Sequence, residues 1–321
     1  MFQVHGGGRF SGEILLVGGV VLQYIATRFS MAVVGRTDGS APGRLAVAQW
    51  LPILATAIAA VAMRMPEMAI CLVFGSSVAS LSLVLGMTSY VAPVSPPMPE
   101  RRLWAMVLPA AIFLLLAGFR GKFTWLHAVM LLVMGAAFLA VWAERPDPLT
   151  MPPESRDERP AALGFLIPAI LLAALGAAVT IYGTFRSGSR VLTPDLLAAT
   201  ILSPLLLLPT LGSGTMLAQN GHTDRAVTAL SGTVLLNLCL LLPAIILIEY
   251  AIGWHHGQAQ PVPFPLITWR LDSVLLVVLG FALIPLAFGR WIPERIESVL
   301  LIIVYAAYLI SETALSAKLL G

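Results

Sequence analysis

Five neutral polar residues are the best candidates for chemistry in this chain: Ser77, Ser80, Thr210, Ser213 and Asn237. Ser77 and Ser80 stand three residues apart, as do Thr210 and Ser213, so each pair shares one face of a helix. Gln49, Thr56 and Ser76 lie behind them, and Pro52 and Pro209 beside them. A proline in a helix interior frees the carbonyl one turn earlier. Hydroxyls, an amide and freed carbonyls would make an oxygen-lined site without net charge. Such a site suits a dehydrated monovalent cation or a small neutral solute. The competing reading is plain packing, because small hydroxyl residues also bring membrane helices together.

The ionisable residues offer less. Arg64 and Glu67 can pair across a short turn, and Asp224 with Arg225 occupies a similar one. Glu249 is deeper in its apolar run and is a weaker candidate for proton coupling. Glu13, Arg28, Asp272 and Glu312 are expected near span ends, where arginine can extend to the headgroups. Adjacent His255 and His256 lack the i, i+4 spacing of a helical metal site, so neither a metal centre nor a cofactor is expected. Gly6–Gly8 and Gly18–Gly19 do not match a phosphate loop in spacing or context. No H-E-x-x-H or G-x-S-x-G motif is present, which argues against an enzyme.

The elements that must position these residues are membrane helices. The chain of 321 residues is 58% hydrophobic and 11% charged, with a mean hydropathy of +0.90. A soluble globule carries about a quarter charged residues. Apolar stretches long enough to span a bilayer fall near 12–34, 45–63, 68–92, 103–119, 124–143, 161–185, 193–217, 226–252, 271–288 and 296–316. The expectation is an all-α, multi-pass integral membrane protein in an inner (plasma) membrane of the bacterial type. Its first apolar run has no signal-peptide cleavage pattern. The net charge of +3 is too small to suggest nucleic acid, and the arginines are expected to meet membrane lipid. A slight excess of arginine in the loops after odd-numbered spans favours both termini outside. Cys71 and Cys239 fall inside spans, where free cysteine packs as a small apolar residue.

One apolar block occurs twice, 157 residues apart and without a gap. Pro52 recurs as Pro209, Glu67 as Asp224, Ala69 as Ala226, and Gly75-Ser76 as Gly232-Thr233. A second pair, Arg120–Leu139 and Arg290–Leu309, aligns at an offset of 170. The Pro-rich, charged stretch 144–160 reads as a solvated linker. It divides the chain into 1–143 and 161–321, five spans each. An odd number of spans inverts the second half, and inverted repeats are a transporter architecture whose site lies at the repeat junction.

These residues resemble the calcium/cation antiporter superfamily, the sodium/calcium exchanger-like proteins. Each half of those proteins carries a signature of the form G-T-S-x-P-E, then D-x-A-x-G-N-x-x-G-S-N. Here the first half reads Pro52-Ile53, Glu67-Met68-Ala69, Gly75-Ser76-Ser77 and Ser80. The second reads Pro209-Thr210, Asp224-Arg225-Ala226, Gly232-Thr233-Val234 and Asn237. The resemblance implies ten transmembrane helices in two inverted five-helix repeats, with a core of spans two, three, seven and eight. It implies Pro52 and Pro209 as midplane helix breaks, and sodium, proton or calcium as substrate. It also implies that Ile53 and Thr210 stand where the family's central glutamates would be. Calcium seeks six to eight oxygens with anionic ligands among them, so the expected activity is antiport of a monovalent cation or with proton coupling. The alternative is a non-transporting scaffold or regulatory protein that keeps the exchanger fold.

Overall fold

In a bilayer core every backbone N–H and C=O must be satisfied within the protein, so a chain this apolar crosses as helices. The computed structural model describes residues 8–36, 42–92, 101–143, 159–187, 193–255, 261–263, 266–288 and 294–320. The described residues form ten helical spans. These are α1 (Gly8–Arg36), α2 (Pro42–Ala62), α3 (Pro66–Val91), α4 (Arg101–Ala117) and α5 (Trp125–Ala143). Then follow α6 (Arg159–Ser187), α7 (Pro194–Gln219), α8 (Thr223–His255), α9 (Leu266–Ala287) and α10 (Arg295–Leu320). Eight of them are long and apolar enough to cross a membrane. Most of the polar stretch 144–160 lies outside the described residues.

Helix α3 is the centre of the molecule, with 94% of its span buried, against 22% for α5. It packs on α2, α7, α8, α9 and α10. Helices α1 and α6 pair closely and lean on α2, while α4 packs against α9 on the other side. A two-stranded antiparallel patch, β1 (Lys122–Phe123) with β2 (Val262–Pro263), ties the chain before α5 to the chain before α9. The sequence carries no clear signal for it.

The 157-residue echo runs through the backbone. Helices α2 and α3 join by a turn in which Met65 N–H donates to Ala60 O and Arg64 N–H to Val61 O, both at 2.9 Å. In the α7–α8 turn His222 N–H donates to Leu217 O at 2.9 Å and Gly221 N–H to Ala218 O at 3.0 Å. These are matching Schellman closures, each needing one left-handed residue. Gly221 (φ 77) fills that position in the second half, and Arg64 (φ 62) in the first. A Cβ on Gly221 would meet nothing within 4 Å. Gly221→Ala is therefore expected to lower stability through backbone strain alone, by about 1 kcal/mol. Helical Gly212, also in open space, is the control. Equal melting temperatures for Gly221→Ala and Gly212→Ala would contradict the strain argument.

The glycines at the helix crossings obey the same offset. A Cβ on Gly19 would strike Thr180 Oγ1, with Thr180 N at 2.5 Å and Gly176 O at 2.7 Å. One on Gly176 would meet Gln23 Cγ at 2.8 Å and Gly19 O at 2.9 Å. Gly19 and Gly176 are thus a reciprocal pair at the α1–α6 crossing, 157 residues apart.

Candidate functional site

The candidate residues lie on α2, α3, α7 and α8, and each helix holds them in a different way. Helix α3 passes into a π-helical turn at Ser80–Val84 and α8 into one at Asn237–Leu241. The two turns are 157 residues apart and open on Ser80 and Asn237, the repeat-equivalent candidates. A π turn inserts a residue, turns the following side chains and recurs at functional sites. Nothing in residue type announces it, so the sequence reading missed both. A third π turn, Ala198–Leu202, lies in the first half of α7.

Asn237 is fully buried, and its Nδ2 donates to Ser76 Oγ at 3.1 Å and to Ser77 Oγ at 3.5 Å. Ser77 Oγ donates in turn to the Val73 carbonyl at 2.7 Å. A second cluster joins α2 to α7: Gln49 Nε2 donates to Ser213 Oγ at 3.0 Å, and Ser213 Oγ donates to the Thr210 carbonyl at 3.0 Å. The structure therefore brings Asn237 to Ser76 and Ser77, and Ser213 to Gln49 and Thr210. Among the described residues no hydrogen bond joins the two clusters. Four buried oxygens, one from each core helix, have no hydrogen-bond partner: Gln49 Oε1, Ser80 Oγ, Thr210 Oγ1 and Asn237 Oδ1. Leaving such an atom unpaired costs about 1–3 kcal/mol.

The two prolines do not behave alike, which corrects the expectation for Pro52. Helix α2 runs unbroken from Pro42 to Ala62 with Pro52 inside it. Proline costs the helix one hydrogen bond, whereas unwinding at membrane depth would strip several. Thr56 Oγ1 also donates to the Pro52 carbonyl at 2.6 Å. Two residues before Pro209 the helix is interrupted only at Leu207 (φ −88, ψ −3), between the helical segments Ser203–Leu206 and Leu208–Gln219. The second half also carries Pro204, where the first half has Val47, and Leu207 N–H donates to the Pro204 carbonyl at 3.2 Å.

Gln23 on α1 is a site neighbour that the sequence reading passed over. It is buried, and its amide lies 3.0 Å from Thr56 Oγ1 and 3.2 Å from Thr180 Oγ1. With its nitrogen turned to the Pro52 carbonyl and its oxygen to the Ala177 N–H, each at 3.1 Å, the amide links α1, α2 and α6. Thr180 stands 157 residues after Gln23, so extending the echo into span one would have found this pair.

Asp272 and Glu312, expected near span ends, are buried within the protein, with 0% and 2% of their surface exposed. Helix α9 begins at Leu266 and α10 continues to Leu320. Glu249 is half-buried and lies within electrostatic reach of Arg64 on the α2–α3 turn. Glu67 lies within electrostatic reach of Asp195 at the start of α7.

The sodium/calcium exchanger protein family model matches residues 15–142 and 161–313, as two segments on either side of the polar stretch. The chain belongs to the sodium/calcium exchanger family. Solved structures agree on the fold. The sodium-calcium exchanger NCX_Mj soaked with 10 mM Na+ and 10 mM Sr2+ superposes with a TM-score of 0.67 at 17% identity, covering 94% of this chain and 98% of that one. The same exchanger soaked with zero Na+ and Ca2+ gives 0.64 at 17% identity, covering 94% and 99%. No curated protein matches the chain. As a member of this exchanger family, the protein is an all-α, multi-pass, cation antiporter-like membrane transporter and not an enzyme. An inverted repeat fits the two matched segments, and α5 starts at Trp125 and α10 at Arg295, 170 residues apart.

Proposed function

We propose that the protein exchanges monovalent cations across an inner (plasma) membrane, with sodium or protons as coupling ions, through a central site that has no carboxylate. Its two halves are 1–143 and 161–321, joined by the linker 144–160, and the site lies where they meet. The ligands are Ser77, Ser80, Thr210, Ser213 and Asn237, with Gln49 beside them. One observation carries the reading: the positions that follow the two repeat prolines are Ile53 and Thr210, both buried, and the four orphaned oxygens on the core helices are neutral. A neutral oxygen set can replace the water around one positive charge. It leaves a divalent ion uncompensated in a low-dielectric interior, where burying an ion costs several kcal/mol even after relaxation. No group of three or more His, Cys, Asp or Glu among the described residues is arranged to hold a metal ion, which also weighs against calcium.

In proteoliposomes the protein is expected to carry sodium or proton flux above that of protein-free vesicles, with calcium flux at background. Absence of flux for all three ions would overturn the proposal in favour of the scaffold alternative.

A further inference from the structure

Away from the central site, the strongest chemical anomaly is at the α9–α10 contact. Asp272, seven residues into α9, and Glu312, in the second half of the antiparallel α10, lie toward the same membrane face and interact electrostatically. Neither Asp272 oxygen has a hydrogen-bond partner, and neither has Glu312 Oε1. The Tyr308 phenol faces the Asp272 carboxyl, but the two do not reach hydrogen-bond geometry. Tyr305, one turn earlier on α10, stacks beside Tyr308 with ring centres 5.9 Å apart, and its hydroxyl is also unpartnered. Residues 305, 308 and 312 follow i, i+3, i+7 spacing, so one face of α10 presents two phenols and a carboxyl.

The described side chains around the pair supply no counter-charge. On α3 the buried Cys71 thiol lies within electrostatic reach of Asp195, Asp272, Glu312 and Glu67. Asp195 sits in the first turn of α7, which packs against α10. Arg64 acts on Glu249 instead, and Arg270 is exposed. Among the described side chains no cation acts on either carboxyl of the pair. Ionisable residues inside membrane spans pair with one another or mark ion pathways and proton relays. Here the pairing is between two acids, and four oxygen-bearing side chains have atoms left unsatisfied.

We propose that Asp272 and Glu312, with the Tyr305 and Tyr308 hydroxyls, form a second cation site that holds one monovalent cation, a sodium ion or a proton, between the two carboxyls. A bound cation supplies the missing positive charge and gives the orphaned oxygens a partner. A divalent ion suits the site less well. Calcium takes six to eight oxygens, and among the described residues no group of three or more His, Cys, Asp or Glu is arranged to hold a metal ion. Lying outside the four core helices, the site would let cation occupancy on α9–α10 bear on α3, against which both helices pack. This inference does not rest on the reading of the central site.

The test uses the full chain in detergent micelles. Sodium binding is measured by isothermal titration, and the carbonyl stretch of protonated carboxylic acids by infrared spectroscopy. With sodium as occupant, Asp272→Asn and Glu312→Gln each bind one sodium equivalent fewer per chain than the wild type. With a proton as occupant, the sodium count is unchanged, but the wild type shows an acid carbonyl band at neutral pH that Asp272→Asn loses. An unchanged sodium count together with an unchanged band in both variants overturns the proposal. So does calcium binding that the two variants abolish. A wild type showing neither sodium binding nor the acid band also overturns it, with no variant needed. Failure of the central-site reading is seen separately, as an Asn237→Leu variant whose sodium flux equals that of the wild type.

Discussion

Gly19→Ala is expected to destabilise the folded protein by about 3 kcal/mol, at the upper end of the usual cost of overpacking. The added methyl would meet the Thr180 backbone nitrogen at 2.5 Å and the Gly176 carbonyl at 2.7 Å. Backbone atoms cannot rotate away as a flexible side chain can, so α1 and α6 must separate. Their separation would also pull Gln23 from Thr56 and the Pro52 carbonyl, which links this crossing to the core. Gly18 is the internal control, since a Cβ there meets nothing within 4 Å. Gly18→Ala should leave the melting temperature in detergent unchanged or slightly raised, as alanine is the better helix former. Equal melting temperatures for Gly18→Ala and Gly19→Ala would remove the α1–α6 crossing from the account.

Asn237→Leu should separate transport from stability. Its Oδ1 is buried without a partner, and its Nδ2 spans Ser76 and Ser77. A hydrogen bond to a charged group is worth about 1.5–3 kcal/mol. Losing the amide as a cation ligand is then expected to slow monovalent-cation flux by about tenfold to a hundredfold. Stability should change little, because the substitution also removes an unsatisfied oxygen. A residue serving only in packing would behave differently, with wild-type flux after Asn237→Leu and any loss confined to the melting temperature.

Much of the fold was legible in the sequence because membrane helices declare themselves by hydropathy and the repeat by identical residues at a fixed offset. Each of the ten spans falls on a helix, and the Pro52/Pro209 and Gly75/Gly232 pairs mark equivalent positions. What the sequence concealed was local geometry. The π turns at Ser80 and Asn237 arise from a one-residue change in hydrogen-bond pattern that residue type does not encode. Pro52 was expected to break its helix, but a single lost hydrogen bond is tolerated and α2 runs on through it. The burial of Asp272 and Glu312 was not legible, because hydropathy places a residue along a span but not against neighbouring helices. Gly19 and Gly176 were within reach of the sequence, since they obey the 157-residue offset, but they lie outside the block in which the echo is dense. For the proposed central site, the candidate residues came from the sequence and the missing glutamates from the family resemblance, while the division into an Asn237 cluster and a Ser213 cluster required coordinates.

The claim that the central site is neutral and monovalent is tested most directly by competition. Exchange of radiolabelled sodium across proteoliposomes is measured with and without millimolar calcium on both sides. Sodium exchange that is unaffected by calcium is the predicted result, because no carboxylate follows Pro52 or Pro209. Block of sodium exchange by calcium, accompanied by calcium uptake down an imposed outward sodium gradient, would contradict it.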